Sequence, residues 1–354
     1  PTSKTLEPRL LIRNVSPSLH SSTRKDLSEH RWDNKGLLIP CVSSFRDLGS
    51  HMNLCANNNG ATLTARLRHA TTMARRLRWM PITRAMKERI VLCNIIPAGI
   101  YGAEATHVHT AALQSLRSAI AFAVGPSSAK RSVDLSFECT PSSKDLDPVA
   151  HILFNRVAGL RRMMAKHNKE ALVRLIIRKL KQKKLNNNNF NNNHNTTHTN
   201  HNIWSCLDQD LGDTGSQDHI QPQDNDNDNT INNDVCVGPV SLLISDLEAI
   251  GCELGEDLII KVPGDVDIDI WNLPWQHLKK AVIGLATKAR VRKVSEARTF
   301  CGSIDEIDDQ IIKKVVNHLG TKEQRIFCHL YTRAFWNKYQ KIDLQTSDGL
   351  CQHC

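Results

Sequence analysis

An asparagine- and aspartate-rich segment, residues 186–235, most limits how this 354-residue chain can fold. Asparagine and histidine fill its first half, aspartate recurs through its second half, and neither lysine nor arginine occurs in it. Such a composition offers too little apolar surface to offset the entropy lost on ordering the chain. We therefore predict a disordered linker here, between a helical block at residues 57–185 and a C-terminal helical region at residues 236–345.

An amphipathic helix is predicted at residues 61–80. Its apolar side chains recur at alternating intervals of four and three residues, which places them on one helical face: Leu63, Leu67, Ala70, Ala74 and Leu77. Arginines occupy much of the remaining surface, with almost no acidic residue among them: Arg66, Arg68, Arg75, Arg76 and Arg78. This pattern favours contact with a phosphate backbone. A solvated charged face is the commoner role of such a run and remains the alternative.

The remaining periodic segments predict further helices and a small β portion, so the expected fold is mainly α (α+β). In the segment after Pro81 we expect Met86, Ile90 and Cys93 to be buried, and at residues 148–162 we expect Arg156, Arg161 and Arg162 to face outward. Three or four such helices form a bundle. In the C-terminal region a β-hairpin is predicted around Pro263 and Gly264.

Two patterns in the C-terminal region could have a chemical role. Asp265, Asp267 and Asp269 alternate with apolar residues, which suits either a cluster of metal-binding carboxylates or, as we favour, the wet face of an edge strand. The helix after Pro274 carries a second set of cations, predicted to form a surface: Lys279, Lys280, Lys288, Arg290, Arg292 and Lys293.

Composition narrows the class of partner and compartment. The net charge of +10 is unevenly spread, which favours an anionic partner. The eleven cysteines show no paired framework, as is typical of a reducing compartment. The longest apolar run, residues 90–101, is broken by Asn94 and Pro97, and no signal-peptide pattern is visible. We expect a nuclear or cytoplasmic protein that is neither secreted nor membrane-bound.

Three motifs occur in a recognisable order: FRDLGSHMN from Phe45, IIPAGIYGAEA ending at Ala105, and RSVDLSF ending at Phe137. With the basic helix between the first two, this order resembles the tail of non-LTR retrotransposon reverse transcriptases. In that family a lysine motif, N-x-x-K-[TS], precedes a primer-grip turn and a helical thumb. The resemblance covers roughly the first half of the chain and, more weakly, about the last eighty residues.

The resemblance implies roles for individual residues. Lys4 matches the lysine motif and would protonate the pyrophosphate leaving group, although Pro1 stands where the family has Asn. Phe45, Leu48 and Gly49 match the primer grip, with Asp47 replacing the usual tyrosine. Residues 1–56 would be a palm remnant, and residues 57–185 a thumb that clamps RNA, DNA or an RNA–DNA hybrid through Arg161, Arg162 and the arginines of the basic helix.

The resemblance also implies metal ions. The two Mg²⁺ ions of the parent enzyme would be held by palm aspartates that precede Pro1, so we expect this chain to be a fragment that binds nucleic acid without polymerising. Cys351 and Cys354, in residues 346–354, match the first half of a Zn²⁺ motif, with Cys328 and His329 as alternative ligands. A stand-alone nucleic-acid-binding protein and a decayed pseudogene product remain the alternative interpretations.

Overall fold

The computed structural model describes only part of the chain, and that part is dominated by helices. The described residues are 10–11, 41–42, 44–47, 50–53, 61–125, 131–139, 143–167, 170–191, 204, 238–297 and 309–332. Helices make up most of this structure, together with three small sheets, which confirms the predicted mainly-α fold with a small β portion. The predictions for Lys4, Leu48, Gly49, Cys351 and Cys354 lie outside the described residues.

Eleven α-helices are described, in two groups on either side of the Asn/Asp-rich segment. In chain order they are α1 (Ala61–Arg78), α2 (Arg84–Ile90), α3 (Ile96–Ile100), α4 (Thr110–Val124), α5 (Val133–Ser136), α6 (Pro148–His167), α7 (Glu170–Asn191), α8 (Pro239–Ala249), α9 (Trp275–Ala297), α10 (Asp309–His318) and α11 (Thr321–Tyr331). A π-helical turn, Val91–Ile95, joins α2 to α3, and a 3₁₀ turn, Ser143–Leu146, precedes α6.

The strands form three small sheets. The first sheet is parallel, with β1 (Leu10–Leu11) beside β2 (Cys41–Val42), and the second is an antiparallel pair of β3 (Ser44–Asp47) and β4 (Ser50–Asn53). The third has the order β5 (Glu253–Leu254), β6 (Ile259–Lys261) and β7 (Ile268–Asp269), all antiparallel. Between β6 and β7 Gly264 adopts a φ of +75°, which glycine tolerates without strain, and the hairpin agrees with the prediction.

One apolar core spans both helical groups. It runs from Leu67 on α1 and Leu113 on α4 to Leu247 on α8 and Val282 on α9, all of which are fully buried. Helix α1 packs on α3 and α4, while α8 and α9 both pack on α6. The two predicted helical regions therefore share a core.

Two described parts of the chain fall within the predicted linker. Helix α7 continues to Asn191, past the predicted end of the helical block at residue 185. Trp204 is only 1 % exposed, and its indole N–H donates to the carbonyl oxygen of Asp246 at 2.9 Å. An indole buries a large apolar surface, so one tryptophan can dock a segment whose average composition opposes folding.

The predicted buried face of the second helix is wrong in part. Met86 is 49 % exposed and Cys93 is exposed, whereas Val91 and Ile95 are buried. Cys93 lies within the π-helical turn, in which the N–H of Ile96 bonds to the carbonyl of Val91, and the wider turn shifts its side chains relative to an ideal helix. Met86 precedes this turn, and its exposure does not follow from it.

A buried network of charges connects the two helical groups. The Arg117 guanidinium on α4 donates from Nε to Asp147 Oδ1 at 3.0 Å and from Nη2 to Asp134 Oδ1 at 2.5 Å. The Arg290 guanidinium on α9 donates to Asp147 Oδ2 at 2.5 Å and to the carboxylate of Glu138. All five residues are buried. Arg290, predicted to lie on an outer cationic surface, therefore lies inside because three carboxylates surround it and Arg117.

Asp147 is the shared member of this network. Burial alone would raise the pKa of its carboxyl, but the charges and hydrogen bonds of Arg117 and Arg290 outweigh burial and lower that pKa to about 2. The same carboxylate accepts the backbone N–H of Val149 at 3.1 Å, which caps the N-terminus of α6. One side chain thus pairs with α4 and α9 while it begins α6.

A second buried ion pair connects α6 to α8. Arg156, predicted to face outward, is 4 % exposed, and its Nη1 donates to the carboxylate of Asp246, which is fully buried. The same guanidinium donates to the carbonyl oxygens of Ala103 at 3.3 Å and Thr106 at 3.4 Å. The outward prediction for Arg156 is wrong because a buried carboxylate and two carbonyl groups satisfy its donors in the interior.

We expect Asp147→Asn to lower the free energy of unfolding by about 3–5 kcal/mol near neutral pH, because it leaves two buried guanidiniums short of a countercharge. The folded pKa of about 2 lies below the unfolded value, so the ionised carboxylate stabilises the fold above about pH 4 and loses that effect as pH falls towards 2. The difference between wild type and variant in urea unfolding should therefore narrow on acidification. As a control, Arg178→Gln breaks the solvent-exposed pair with Glu256, which water and salt screen, and should leave the free energy of unfolding close to that of wild type. A constant difference across pH would contradict the assigned role of Asp147.

For the second pair, Arg156→Met should lower the free energy of unfolding by about 3–5 kcal/mol, because it leaves the buried Asp246 carboxylate without the charge of Arg156. Adding Asp246→Ala to this variant should recover part of the lost free energy. Denaturant unfolding of the two single variants and the double variant measures the coupling. Losses that simply add would show that the two side chains do not interact.

Candidate nucleic-acid interface

The inner face of α1 is the predicted apolar stripe. Leu67, Ala70 and Ala74 have no exposed surface, and the two leucines near the helix ends are each 2 % exposed, which confirms the stripe. The approach of α3 is close, since a Cβ atom placed on Gly99 would lie 2.8 Å from the Cβ of Ala70. Close packing on this side fixes which side of α1 faces outward.

The outer face of α1 carries exposed arginines. Arg68, Arg75 and Arg76 are exposed, and none of the three forms an ion pair with a residue that the structure describes. Arg68 and Arg75 are seven residues apart, so they lie on the same side of the helix, about 10 Å apart along its axis. Phosphates recur about every 3.4 Å along one strand of B-form DNA, so this row spans about three nucleotides.

The other two arginines predicted for this face contact the protein. Arg66 donates from Nη1 to the carbonyl oxygen of Tyr101 at 2.8 Å, and its guanidinium lies 5.0 Å from the Tyr101 ring centroid. Arg78 donates to the carbonyl oxygen of Phe122 at 2.9 Å and lies 3.4 Å from the Phe122 ring centroid. These two side chains therefore hold α1 against its neighbours, and the three exposed arginines are the better candidates for contact with phosphate.

Arg161 and Arg162 lie on a different helix, α6. Arg161 donates from Nη1 to the carbonyl oxygen of Leu273 at 2.5 Å, which connects α6 to the segment before α9. Arg162 is exposed. Of the two, only Arg162 has the exposure expected of a side chain that contacts a backbone phosphate.

The predicted primer grip is described only at its first residue. Phe45 lies on β3 opposite Met52 on β4, and Asp47 pairs with Ser50. Leu48 and Gly49 stand between these strands in the sequence but are not among the described residues. The primer-grip assignment stays a prediction.

The alternating aspartates make local contacts. Asp265 pairs with Lys288 at 2.6 Å, Asp267 accepts the backbone N–H of Val262 at 3.0 Å, and Asp269 accepts the N–H groups of Trp271 and Asn272 at 2.8 and 2.9 Å. Across the described ranges, no group of three histidine, cysteine, aspartate or glutamate side chains could hold a metal ion. These three carboxylates therefore act as partners for turns and for α9.

Cys328, one of the alternative zinc ligands, has other neighbours. Its Sγ accepts a hydrogen bond from Arg84 Nη1 at 3.0 Å, and both Cys328 and the nearby Cys139 are buried. The Cys139 thiol and the Arg84 charge together lower the pKa of Cys328 to about 6 in spite of its burial. This contact holds α11 against α2 and the end of α5 and has no counterpart in the sequence patterns.

Trp79 is a candidate that the sequence patterns did not single out. It follows α1 directly, and its N–H donates to the carbonyl oxygen of Arg76 at 3.1 Å, so Trp79 lies in a turn that closes the C-terminal end of the helix. It is 79 % exposed. The sequence did contain a signal for it: Trp79 comes four residues after Arg75 and three after Arg76, a spacing that places it on the same side of a helix as those arginines.

Comparison with protein-family models, with curated proteins and with solved structures finds no match to this chain. Within the described ranges, every helix is too short or too polar to cross a lipid bilayer. The functional interpretation therefore depends on the geometry of the arginine face and on the sequence resemblance.

We expect Arg78→Ala to lower the free energy of unfolding by about 1–2 kcal/mol, because it removes a charged hydrogen bond and the packing on Phe122. Arg75→Ala should change stability by less than about 0.5 kcal/mol, since its side chain is exposed. Thermal and urea unfolding of both variants make the comparison. Equal destabilisation by the two substitutions would contradict the division into arginines that hold α1 and arginines that are free to bind phosphate.

Proposed function

We propose that this chain binds nucleic acid, as the thumb-like C-terminal part of a non-LTR retrotransposon reverse transcriptase. The observation that carries the proposal is the exposed row of Arg68, Arg75 and Arg76, whose helix is packed on its opposite side. RNA, DNA and RNA–DNA hybrids all present the phosphates that such a row would contact. The same proposal places the chain in a ribonucleoprotein of the nucleus or cytoplasm.

Charge supports an anionic partner more strongly than a neutral one. The chain carries a net charge of +10, yet the buried arginines Arg117, Arg156 and Arg290 are all neutralised by carboxylates. By contrast, the exposed arginines Arg68, Arg75 and Arg76 pair with no carboxylate of the described residues, so their positive charge faces the solvent uncompensated. Arginines on a rigid helix contact the backbone of a duplex and position it without reading its sequence.

The resemblance supports the polymerase context. The order of the lysine motif, primer-grip motif and basic helix is that of the family's palm-to-thumb region, with Lys4 and Phe45 in the matching positions. The matched motifs include none of the palm aspartates that hold Mg²⁺ in that family, so we assign duplex binding, and not the polymerisation chemistry, to these residues. The Zn²⁺ motif suggested by Cys351 and Cys354 stays part of the same proposal.

The test is binding of the full chain to a short RNA–DNA hybrid, titrated against salt. We expect affinity to fall steeply with salt, and we expect Arg68→Gln/Arg75→Gln/Arg76→Gln to weaken binding. The variant should also reduce the slope of log K against log salt by up to about 0.9 for each phosphate that it no longer neutralises. The matched control, Lys179→Gln/Lys280→Gln/Lys314→Gln, removes the same charge from exposed positions on α7, α9 and α10.

The result distinguishes a specific face from general charge. Equal weakening of binding in the two triple variants would show that net charge alone attracts the hybrid. No salt-dependent binding by the wild-type chain would overturn the proposal. Circular dichroism of all three proteins checks that the substitutions leave the helices intact.

A further inference from the structure

A stacked column of side chains ends at the solvent beside the arginine row. Phe122 on α4 is its inner layer, and the Arg78 guanidinium lies over that ring with 3.4 Å between the guanidinium carbon and the ring centroid. The same guanidinium lies 5.3 Å from the centroid of the Trp79 ring. The Arg78 guanidinium thus lies over both rings, and Trp79, the more exposed of the two, is the ring that reaches the solvent.

The middle layer of this column is fixed. Arg78 donates to the carbonyl oxygen of Phe122 at 2.9 Å, and Lys87 donates to the carbonyl oxygen of Arg78 at 2.6 Å. Because the guanidinium is held from the protein side, the Trp79 ring has a preformed partner on one face. With 79 % of Trp79 exposed, its other face is open to solvent.

Positive charge surrounds the outer layer. Arg75 and Arg76 precede Trp79 by one helical turn. Burial and the nearby charge of Arg78 lower the pKa of Lys87, and burial and the charge of Arg325 on α11 lower the pKa of Arg78. The cations therefore crowd one another at this corner, and an anion placed among them would relieve the repulsion.

We propose that Trp79 is a stacking site for an unpaired nucleobase, which extends the column by one layer while Arg75 and Arg76 contact the phosphates of the same strand. This inference rests on the proposed nucleic-acid binding and deepens it: the preferred ligand is a duplex with a single-stranded extension, or a single strand, and not a blunt duplex. Stacking on an aromatic ring accepts any base, so the site confers preference for unpaired structure and not for sequence.

A protein partner fits the same corner less well. Met80 and Met86 are 46 % and 49 % exposed, so apolar surface is present near Trp79 in the chain. An apolar protein surface placed over Trp79 would, however, have to desolvate several cations that have no carboxylate partner in the described part of the chain, which is costly. A nucleic-acid strand supplies a π-face and a negative charge together.

The test compares the full-length chain with Trp79→Leu, which keeps an apolar side chain but removes the aromatic face. The probes are a blunt RNA–DNA hybrid and the same hybrid with a few unpaired nucleotides, the first of which is 2-aminopurine. We expect wild type to prefer the extended hybrid by at least about fivefold, the lower end for one stacked base, with quenching of the 2-aminopurine emission. Trp79→Leu should abolish the preference and the quenching, while it binds the blunt hybrid as wild type does.

Two controls make the outcomes distinct. Trp271→Ala removes another exposed tryptophan, which follows β7 in the sequence and is 40 % exposed. This variant should show the same preference for the extended hybrid and the same quenching as wild type. If wild type binds both hybrids equally, with no quenching, the stacking site is overturned while the proposed function stands. If wild type binds neither hybrid, both proposals fail. If Trp79→Leu alters only the sedimentation behaviour of the chain, the corner is a protein contact and the inference is wrong.

Discussion

The carboxylate of Asp147 holds two buried arginines at once, and the packing of the helices depends on that arrangement. Arg117 arrives from α4 and Arg290 from α9, so the carboxylate can be satisfied only when the two helical groups are assembled. Charges taken out of water cost about as much as their attraction returns, but an incomplete set leaves a buried charge without a partner. The network therefore penalises wrong assemblies more than it stabilises the correct one.

The candidate interface is tied to this network through a single helix. Arg117 near the middle of α4 belongs to the network, and Phe122, little more than one turn later, accepts the hydrogen bond from Arg78 and begins the stacked column. Arg131 lies over the same Phe122 ring, at 5.0 Å from its centroid, and donates to the carbonyl oxygen of Ser118 on α4. The surface proposed to meet a nucleic-acid strand thus stands on a helix whose position is set by buried charges.

Sequence patterns are sufficient where a local rule decides the structure. The alternating spacing of Leu63, Leu67 and Ala70 predicts the buried side of α1, and its exposed side follows. The same reasoning places Arg156 and Arg290 outside because it uses charge alone. Their spacing is the signal that charge obscures: each arginine lies four residues from buried apolar side chains on both sides, Ile152 and Leu160 for one, Ala286 and Val294 for the other. Their partners, Asp246 and Asp147, come from distant parts of the chain, which no local pattern identifies.

The shared core also bears on how much the low-complexity part of this chain can change in length. Trp204 and Gly238 mark the last described residue before, and the first after, the aspartate-rich stretch, and Trp204 and the nearby α8 are both packed into the one core. For a loop between fixed ends, the entropic cost grows only with the logarithm of its length, by about 0.6 kcal/mol for each doubling. A change in the number of residues between Trp204 and Gly238 is therefore expected to cost the fold little, because Trp204 and α8 are both held by the one core.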